Sequence, residues 1–233
     1  MFNMSKATPT DSGRQVLIAV GGPASSTRWP DTNTMSGLGE PPTVVAADSG
    51  AGHALAAGLK VDVLVGDLDS IDAKTLAAVN KSGATVQQHP VDKDQSDLEL
   101  ALDVAVAFKP DVIYVVSSSS GRLDHLLIGV LLLGRPDLAD IRVEAWIDDT
   151  IVIPVSQSER ALPASVGDLV TLIPWGGPAV VTTTRLKWPL TRDTLMPGTA
   201  RGLSNEVTGA GVTVRTDVGT VLACVLCSAA APS

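Results

Sequence analysis

The sequence predicts an α/β protein: an N-terminal doubly wound parallel sheet domain, followed by a C-terminal all-β sandwich domain. Three observations lead to this prediction. Between residues 43 and 147, short apolar runs alternate with stretches of helical length, which is the pattern of repeated strand–helix units. The runs are continuously apolar, as expected for strands that helices cover on both faces. After residue 150, helical periodicity is replaced by short Val- and Thr-rich runs separated by Pro and Gly.

The predicted elements follow one another in a regular order. A polar segment, residues 1–13, is expected to be disordered; a first strand at 15–20 follows, and then a Pro-, Gly- and Ser-rich loop at 23–42. Strands are then predicted at 43–47, 61–65, 84–87, 112–116 and 141–147, with helices between them at 50–57, 72–81, 97–108 and 123–133. The β part holds runs at 151–155, 169–174, 179–184, 211–215 and 221–226. The predicted domains are therefore residues 1–147 and 148–233.

Composition excludes several classes of protein. The formal net charge of −8 disfavours a nucleic-acid binder, which needs a basic face for phosphates. The longest apolar stretch, residues 126–133, is far short of the roughly 20 residues that span a membrane, and the N-terminus carries no signal-peptide pattern. Cys224 and Cys227 form one C-x-x-C without further zinc ligands, so we expect two reduced core thiols. These features predict a cytoplasmic protein that binds neither nucleic acid nor membranes.

Polar and mostly acidic side chains follow four successive predicted strands. The carboxyl ends of parallel strands meet at one edge of the sheet, where ligands of such folds bind. The four clusters are Asp48; Asp67 with Asp69; Asp92, Lys93, Asp94 and Asp97; and Gly121, Arg122, Asp124 and His125 after a run of four serines. Converging carboxylates repel one another unless a cation lies between them, and Mg²⁺ favours hard oxygen ligands. We therefore predict a metal site for a phosphate-bearing substrate, with Asp67 and Asp69 pointing the same way from an extended segment.

Each acid alone also has a purely structural explanation. Asp48 and Asp67 fit turns, Ser96 and Glu99 fit a capping box, and Asp124 fits a helix cap. These explanations need one acid per turn and do not account for clusters of two or three. The motifs of P-loop kinases, dinucleotide-binding oxidoreductases, zinc proteases and α/β serine hydrolases are all missing.

The order of these motifs resembles the thiamine pyrophosphokinase family. The matching segments are 47–51, 65–71, 92–102, 121–125, 186–190 and 203–206. The resemblance implies a nucleotide-binding α/β domain, a thiamine-binding β-sandwich, and a homodimer with active sites between subunits. It also implies a Mg²⁺-dependent transfer of the diphosphate group of ATP to the hydroxyl of thiamine, which releases AMP.

The resemblance also implies roles for residues of the α/β domain. Asp67 and Asp69 would be Mg²⁺ ligands, and Asp48 with either Asp94 or Asp97 would complete the acidic site. One of these carboxylates would instead accept the proton of the attacking hydroxyl. The residues implied to bind the nucleotide are Lys93, Ser96, Ser120, Gly121 and Arg122.

The remaining implied roles concern thiamine. Asp124 and His125 would contact the substrate, Trp188 would stack on its ring, and Ser204 and Asn205 would add polar contacts, in the neighbouring subunit's site. For Trp188 an alternative is a core position between Leu186 and Leu190, because strand alternation would put all three on one face.

Three departures from the family pattern leave alternatives open. Ser49 stands where the family has Gly, Ser96 where it has Thr, and serines 117–120 where it has glycine. Glycine among residues 117–120 would let phosphate approach the backbone. With serines there, we expect reduced activity or another nucleotide preference, unless the serine hydroxyls bind the phosphate instead. The alternatives are a relative with another alcohol acceptor or nucleotide, and a weakly active protein that binds a nucleotide or a thiamine derivative.

Overall fold

The computed structural model describes residues 13–22, 29–30 and 40–227. The disorder was expected for residues 1–13 and the loop for residues 23–42; apart from residues 13, 29–30 and 40–42, both segments lie outside these ranges. In chain order the elements are β1 (Gln15–Val20), β2 (Thr43–Ala47), α1 (Gly50–Ala56), β3 (Val63–Gly66), α2 (Ala73–Lys81), β4 (Thr85–Gln88), α3 (Asp97–Ala107), β5 (Val112–Ser117), α4 (Leu123–Leu132), a 3₁₀ turn (Pro136–Leu138), β6 (Arg142–Ile147), β7 (Thr150–Ser156), β8 (Glu159–Ala161), β9 (Leu169–Thr183), β10 (Asp193–Leu195), β11 (Asn205–Glu206) and β12 (Thr213–Leu226). No helix in the described ranges is both long and apolar enough to cross a bilayer.

The first half is the predicted doubly wound sheet. Its strands have the order β4-β3-β2-β1-β5-β6, and all of these neighbours pair in parallel. Successive residues of β1 face opposite sides: Leu17 belongs to the core that includes residues of α1 and α2, and Ile18 to the core beneath α3. The chain reverses its direction of travel across the sheet between β1 and β5, and ligands of such folds bind at this switch point.

The two halves share one sheet. β6 and β7 form a hairpin through Asp148 and Asp149, and Ile147 pairs with Thr150. The sheet continues through β7, β12, β9 and β10, so the described strands form a single twelve-stranded sheet. The apolar core beneath α1 and α2 also continues into the β half through β7, β9 and β12. The predicted domain boundary thus falls at a tight turn within a continuous sheet.

Each of the two longest strands covers two runs that the sequence predicts as separate strands. β9 joins the runs at 169–174 and 179–184, and β12 joins those at 211–215 and 221–226. Gly176 and Gly219 lie inside these strands with φ of 70° and 75°, and the β9–β12 register shifts between Thr216 and Thr220. The prediction of two separate strands at each place was wrong, because these glycines allow bulges that bend a strand without ending its pairing.

Candidate active site

Three carboxylates meet at the carboxyl edge of the parallel sheet. Asp48 directly follows β2, and Asp67 and Asp69 follow β3, with one oxygen from each lying within 4.8 Å of the other two. The expected extended path through Asp67 and Asp69 is wrong. Leu68 has a φ of 68°, and the Asp69 N–H donates to Asp67 Oδ1 over 3.2 Å. The carboxylates therefore converge through a tight turn, in which the side chain of Asp67 fixes the backbone of Asp69.

Asp48 is the buried member of this cluster. Its side chain is almost fully enclosed, with the residue 7 % exposed, and its Oδ1 atom has no hydrogen-bond partner among the described residues. Burial raises the pKa of Asp48, and the nearby charges of Asp97 and Asp67 raise it further. A buried carboxylate oxygen without a donor is costly unless a cation compensates it. The three oxygen donors therefore fit a hard divalent cation such as Mg²⁺.

Gly66 makes room for the cluster. At a φ of 146°, a Cβ atom on Gly66 would lie 3.2 Å from Asp48 Cβ and 3.3 Å from Asp97 Oδ1. A larger residue would thus be strained and would wedge the acids apart. The same distances bring Asp97, the first residue of α3, next to the cluster. Asp94 is exposed on the preceding loop, so of the two alternatives for the fourth acid the geometry favours Asp97.

Lys93 bridges two of the acids. Its Nζ lies 3.2 Å from Asp67 Oδ2 and 3.1 Å from Asp97 Oδ1, and the side chain is only 14 % exposed. Burial alone would lower the pKa of Lys93, but the ion pairs with Asp97 and Asp67 outweigh burial and raise it. The pKa of Asp67 is lowered by the hydrogen bond from Asp69 N–H and by Lys93. The ammonium group therefore neutralises part of the negative charge of the cluster.

Ser96 acts as the N-cap of α3, as the capping-box pattern predicts. Its Oγ accepts from the Glu99 N–H over 3.2 Å, with extended backbone at Ser96. The cap anchors the helix start that carries Asp97, and the predicted contact of Ser96 with the nucleotide remains a prediction.

The serine loop, residues 118–121, follows β5 at the switch point. The hydroxyls of Ser118 and Ser120 lie 2.6 Å apart, and the Ser120 N–H donates to Ser118 Oγ over 3.2 Å. Ser119 donates to Asp148 from both its N–H and its hydroxyl. Across the switch point, a Cβ on Gly22 would lie 3.9 Å from Ser118 Cβ, so this glycine faces the loop.

Arg122 and Asp124 form an exposed ion pair at the start of α4. The Arg122 guanidinium donates from Nε and Nη2 to the two carboxylate oxygens over 3.1 and 2.5 Å. The hydrogen bond from Arg122 lowers the pKa of Asp124 to about 2. The helix-cap alternative for Asp124 is wrong, because the N-cap position belongs to Arg122. His125 follows on the same exposed helical turn.

Trp188 borders a cavity of about 330 Å³ in the β half. The lining residues are Leu172, Trp188, Pro189, Leu190, Arg201, Gly202, Leu203 and Asn205, all of them from the β half. The alternative of a core Trp is wrong: Trp188 is 59 % exposed, whereas Leu186 and Leu190 are buried. The alternation fails because the segment is not a regular strand and Pro189 interrupts it.

Asn205 holds the Trp188 loop in place. Its Oδ1 accepts from the Trp188 N–H over 3.0 Å, and its Nδ2 donates to the Trp188 carbonyl over 2.6 Å. The Lys187 ammonium lies 5.1 Å from the centre of the indole ring, close enough for a cation–π interaction. Ser204 is exposed, and its N–H donates to Thr171 Oγ1 over 2.9 Å. Asn205 thus supports the exposed indole, and both residues line the cavity.

Sequence reasoning missed two residues of these sites. Asp148 follows β6, and the rule that identified the other acids would have found it if it had been applied to this strand as well. Arg201 lines the cavity and pairs with Asp193 over 2.5 Å. No sequence motif marks Arg201, because only the folding of two loops over β9 brings it to the cavity.

Comparison with known proteins finds, along most of the chain, the family that the sequence motifs resemble. The sequence model of the thiamin pyrophosphokinase catalytic domain matches residues 38–145, and that of the vitamin B1 binding domain matches residues 150–221. Thiamine pyrophosphokinase of Bacillus subtilis is 27 % identical over 172 residues, covering 70 % of this chain and 77 % of that protein. Thiamine pyrophosphokinase 1 of Oryza sativa is 30 % identical over 169 residues, covering 68 % of this chain and 63 % of the rice protein.

Solved structures agree with the sequence comparisons. The crystal structure of thiamine pyrophosphokinase from Bacillus subtilis superposes with a TM-score of 0.79 at 25 % identity, over 93 % of this chain and all of that chain. The enzyme from Candida albicans shares the fold at 14 % identity, with a TM-score of 0.69 over 91 % of this chain and 89 % of that chain. With both family domains matched in order, and with the acidic cluster and the Trp188 cavity in the corresponding halves, the chain belongs to the thiamin pyrophosphokinase family of enzymes.

Proposed function

We propose that this enzyme transfers the diphosphate group of ATP to the hydroxyl of thiamine in a Mg²⁺-dependent reaction that releases AMP. In this proposal residues 1–147 bind the nucleotide and residues 148–233 form the thiamine-binding domain, while Asp124 and His125 of the first half also contact thiamine. The observation that carries the proposal is the convergence of Asp48, Asp67 and Asp69 beside Lys93 at the carboxyl edge of the parallel sheet. A nucleoside triphosphate with a divalent cation fits this site, because the carboxylates can bind the cation and the ammonium group can bind the phosphates.

The proposed reaction exchanges one oxygen–phosphorus bond for another. The oxygen of the thiamine hydroxyl bonds to the β-phosphorus of ATP, and the bond from that phosphorus to the oxygen bridging the α- and β-phosphates breaks. The electron pair of the broken bond leaves with AMP, and the hydroxyl proton passes to a carboxylate of the acidic site. Phosphoryl transfer of this kind depends chiefly on positioning and on electrostatic stabilisation.

The residues of the acidic site divide these tasks between them. Asp67, Asp69 and Asp48 would hold Mg²⁺, with Asp97 as the fourth acid, and the cation would supply positive charge to the phosphate oxygens. Lys93 would offer its ammonium group to the phosphates once the cation has taken over the charge of Asp67. Charge-assisted contacts of this kind are about twice as strong as neutral hydrogen bonds.

The serine loop and Arg122 would enclose the rest of the triphosphate. Ser118 and Ser120 present hydroxyls at the switch point, Gly121 has a φ of 110°, and Arg122 lies at the N-terminus of α4. We propose that phosphate oxygens compete with Asp124 for the guanidinium of Arg122. Asp124 and His125 would then be available to thiamine.

We further propose that two copies form a dimer in which each active site uses both chains. None of the residues of α4 is buried, and Leu123, Leu127, Ile128 and Leu131 are between 49 and 67 % exposed. An apolar helix face of this kind on the surface is typical of an interface. Asp124 lies beside this face, while the Trp188 cavity draws all of its lining from the β half. A second chain that covers α4 would supply Trp188, Ser204 and Asn205 to the site of the first.

The reaction is tested by incubating the protein with ATP, thiamine and Mg²⁺ and separating the products by chromatography. Thiamine diphosphate and AMP in equal amounts are expected. ADP as the product, or no product with thiamine but turnover with another alcohol or another nucleoside triphosphate, would refute the proposal in favour of a related transferase. Nucleotide or thiamine binding without any turnover would identify a binding protein.

The shared site is tested by mixing an inactive variant with one that is impaired at low thiamine. Asp69→Asn removes an acid of the α/β half, and Trp188→Ala removes the indole of the β half. After the two are unfolded and refolded together, a mixed dimer has one intact site if the sites are shared, so activity at low thiamine should reappear. Activity no higher than the sum of the separate variants would show that each chain builds its own site.

The oligomeric state is tested by light scattering. Leu127→Lys should yield monomers, whereas Val166→Lys, a matched change at an exposed apolar residue of the β half, should leave the dimer intact.

We also propose a cytoplasmic location, where ATP and Mg²⁺ are both available. No disulfide joins Cys224 to Cys227, and burial raises the pKa of the Cys224 thiol to about 11.

A further inference from the structure

We propose that Asp148 is a positioning residue for the triphosphate: it holds the serine loop in the conformation that presents the hydroxyls of Ser118 and Ser120 to the phosphates. The inference rests on the proposed nucleotide site at the switch point. It assigns a role to a residue that lies between the two halves of the chain and outside every motif of the sequence.

The contacts of the serine loop carry the inference. β5 and β6 are parallel neighbours with Ser117 opposite Ile147, so Ser118 and Asp148 leave the sheet side by side. Asp148 Oδ2 accepts two hydrogen bonds from Ser119, one from its N–H over 3.0 Å and one from its hydroxyl. Two donors from one residue on one carboxylate oxygen fix both the backbone and the side chain of Ser119.

These bonds determine which groups of the loop remain available. The N–H of Ser119 is used by Asp148, and the N–H of Ser120 is used by Ser118 Oγ. Glycine-rich phosphate loops bind their ligand through backbone N–H groups. Here two of these N–H groups are bonded within the protein, and the hydroxyls of Ser118 and Ser120 hydrogen-bond to each other over 2.6 Å. One of the two hydroxyl hydrogens is used in that bond, and the other remains for a ligand. A loop of serines held in this way offers a hydroxyl donor where a glycine loop offers amides.

The charge of the Asp148 carboxylate is neutralised locally by the serine loop. An acid in the next loop repels phosphate unless donors of the protein neutralise its charge locally. Ser119 supplies two such donors, and the backbone of Asp148 is fixed by the hairpin turn with a φ of 50°. The β6–β7 turn therefore connects the β half to the phosphate site through one side chain.

The test compares Asp148→Gly, Asp148→Asn and the neighbouring control Asp149→Gly. Glycine accepts the positive φ without strain, so it removes the carboxylate alone, and asparagine tolerates this conformation and keeps an acceptor oxygen. We expect Asp148→Gly to raise the KM for ATP about tenfold, as loss of about 1.4 kcal/mol of binding would. The KM for thiamine at saturating ATP and the kcat should change by less than about twofold, and Asp148→Asn should restore most of the ATP affinity.

A binding measurement separates this inference from the proposed function. Calorimetry with α,β-methylene-ATP and Mg²⁺ should show the same loss of about tenfold in affinity for Asp148→Gly and none for Asp149→Gly. Equal effects of the two glycine variants would overturn the positioning role. An equal rise in the KM for ATP and the KM for thiamine, or a large fall in kcat, would also overturn it. If the unaltered enzyme binds the analogue but makes no thiamine diphosphate, the proposed reaction fails while the role of Asp148 in binding stands.

Discussion

Replacing Lys93 by Met should destabilise the metal-free enzyme and make it bind Mg²⁺ more tightly. Lys93 is the cation that the chain itself supplies to the acidic site, through ion pairs of 3.2 Å to Asp67 and 3.1 Å to Asp97. Methionine keeps the length and apolar stem of the side chain and removes the charge. Without the ammonium group the acids repel one another, and a divalent cation meets no competitor for Asp67.

The magnitude follows from the distances and exposures. Each pair at about 3 Å is worth about 5 kcal/mol at an effective dielectric constant of about 20. Most of this is offset by the cost of taking the charges out of water. The Lys93 and Asp67 side chains are 14 and 12 % exposed, so the pairs lie between surface and fully buried cases. We expect a net loss of about 2 kcal/mol, which for a chain of this length lowers the Tm by about 4–8 °C in chelator.

The assay is thermal unfolding in EDTA and in about 10 mM Mg²⁺. A tenfold gain in Mg²⁺ affinity adds about 1.4 kcal/mol of stabilisation at saturating metal, so Mg²⁺ should raise the Tm of Lys93→Met by about 3–6 °C more than that of the unaltered enzyme. The control is Lys60→Met, because Lys60 forms an exposed pair with Asp62 over 3.6 Å at the other edge of the sheet. Equal Mg²⁺ shifts in all three proteins would refute the idea that Lys93 competes with the metal.

Three further predictions concern single residues. Asp69→Asn should abolish turnover and leave the Tm in chelator within about 2 °C, since Asp69 is exposed; near-normal rates would remove it from the metal site. Trp188→Ala should raise the KM for thiamine at least about tenfold with little change in Tm, because the ring is exposed; an unfolded variant would contradict the exposed placement. Asp48→Asn should stabilise the enzyme by about 1–2 kcal/mol in chelator at pH 7 and lose the stabilisation by Mg²⁺. The pKa of Asp48 is raised on folding, so its charge opposes folding above that pKa, and the advantage of the Asn variant in urea unfolding should shrink as pH falls through it; an advantage independent of pH would contradict this reasoning.

The parallel half of the fold could be predicted from the sequence because most of its strands, such as β1, β2, β3 and β5, are largely apolar and buried runs. The exception is β4, whose four residues are all exposed. The bounds of β1 and β2 match the prediction, while β3 begins two residues later, at Val63. The β half was harder to predict. Gly176 and Gly219 give the same local signal in a bulge as in a turn, and only the pairing of β9 with β12 distinguishes the two cases.

The acidic site could be predicted because strand order alone brings Asp48, Asp67 and Asp69 to one edge. Its details depend on local backbone and on contacts between loops. Leu68 has a left-handed backbone conformation, and the ion pair of Lys93 with Asp97 joins residues four apart at the start of α3. Trp188 lies on a loop that Asn205 holds from 17 residues away. The core alternative for Trp188, which rested on strand alternation, was wrong because Pro189 and the bonds to Asn205 set the path of that loop.

The hairpin between β6 and β7 has a consequence for any attempt to divide the chain. Cleavage at Asp148 and Asp149 would turn two central strands into edges, each with unsatisfied backbone groups along a buried apolar segment. Such edges are templates for aggregation, which natural proteins avoid with charges, bulges or a covering element. The segments that pair across this turn, residues 145–147 and 150–152, contain no charged residue and no Pro; Glu144 and Pro154 lie outside them. A protease that nicks this turn should therefore precipitate both fragments rather than release two folded domains.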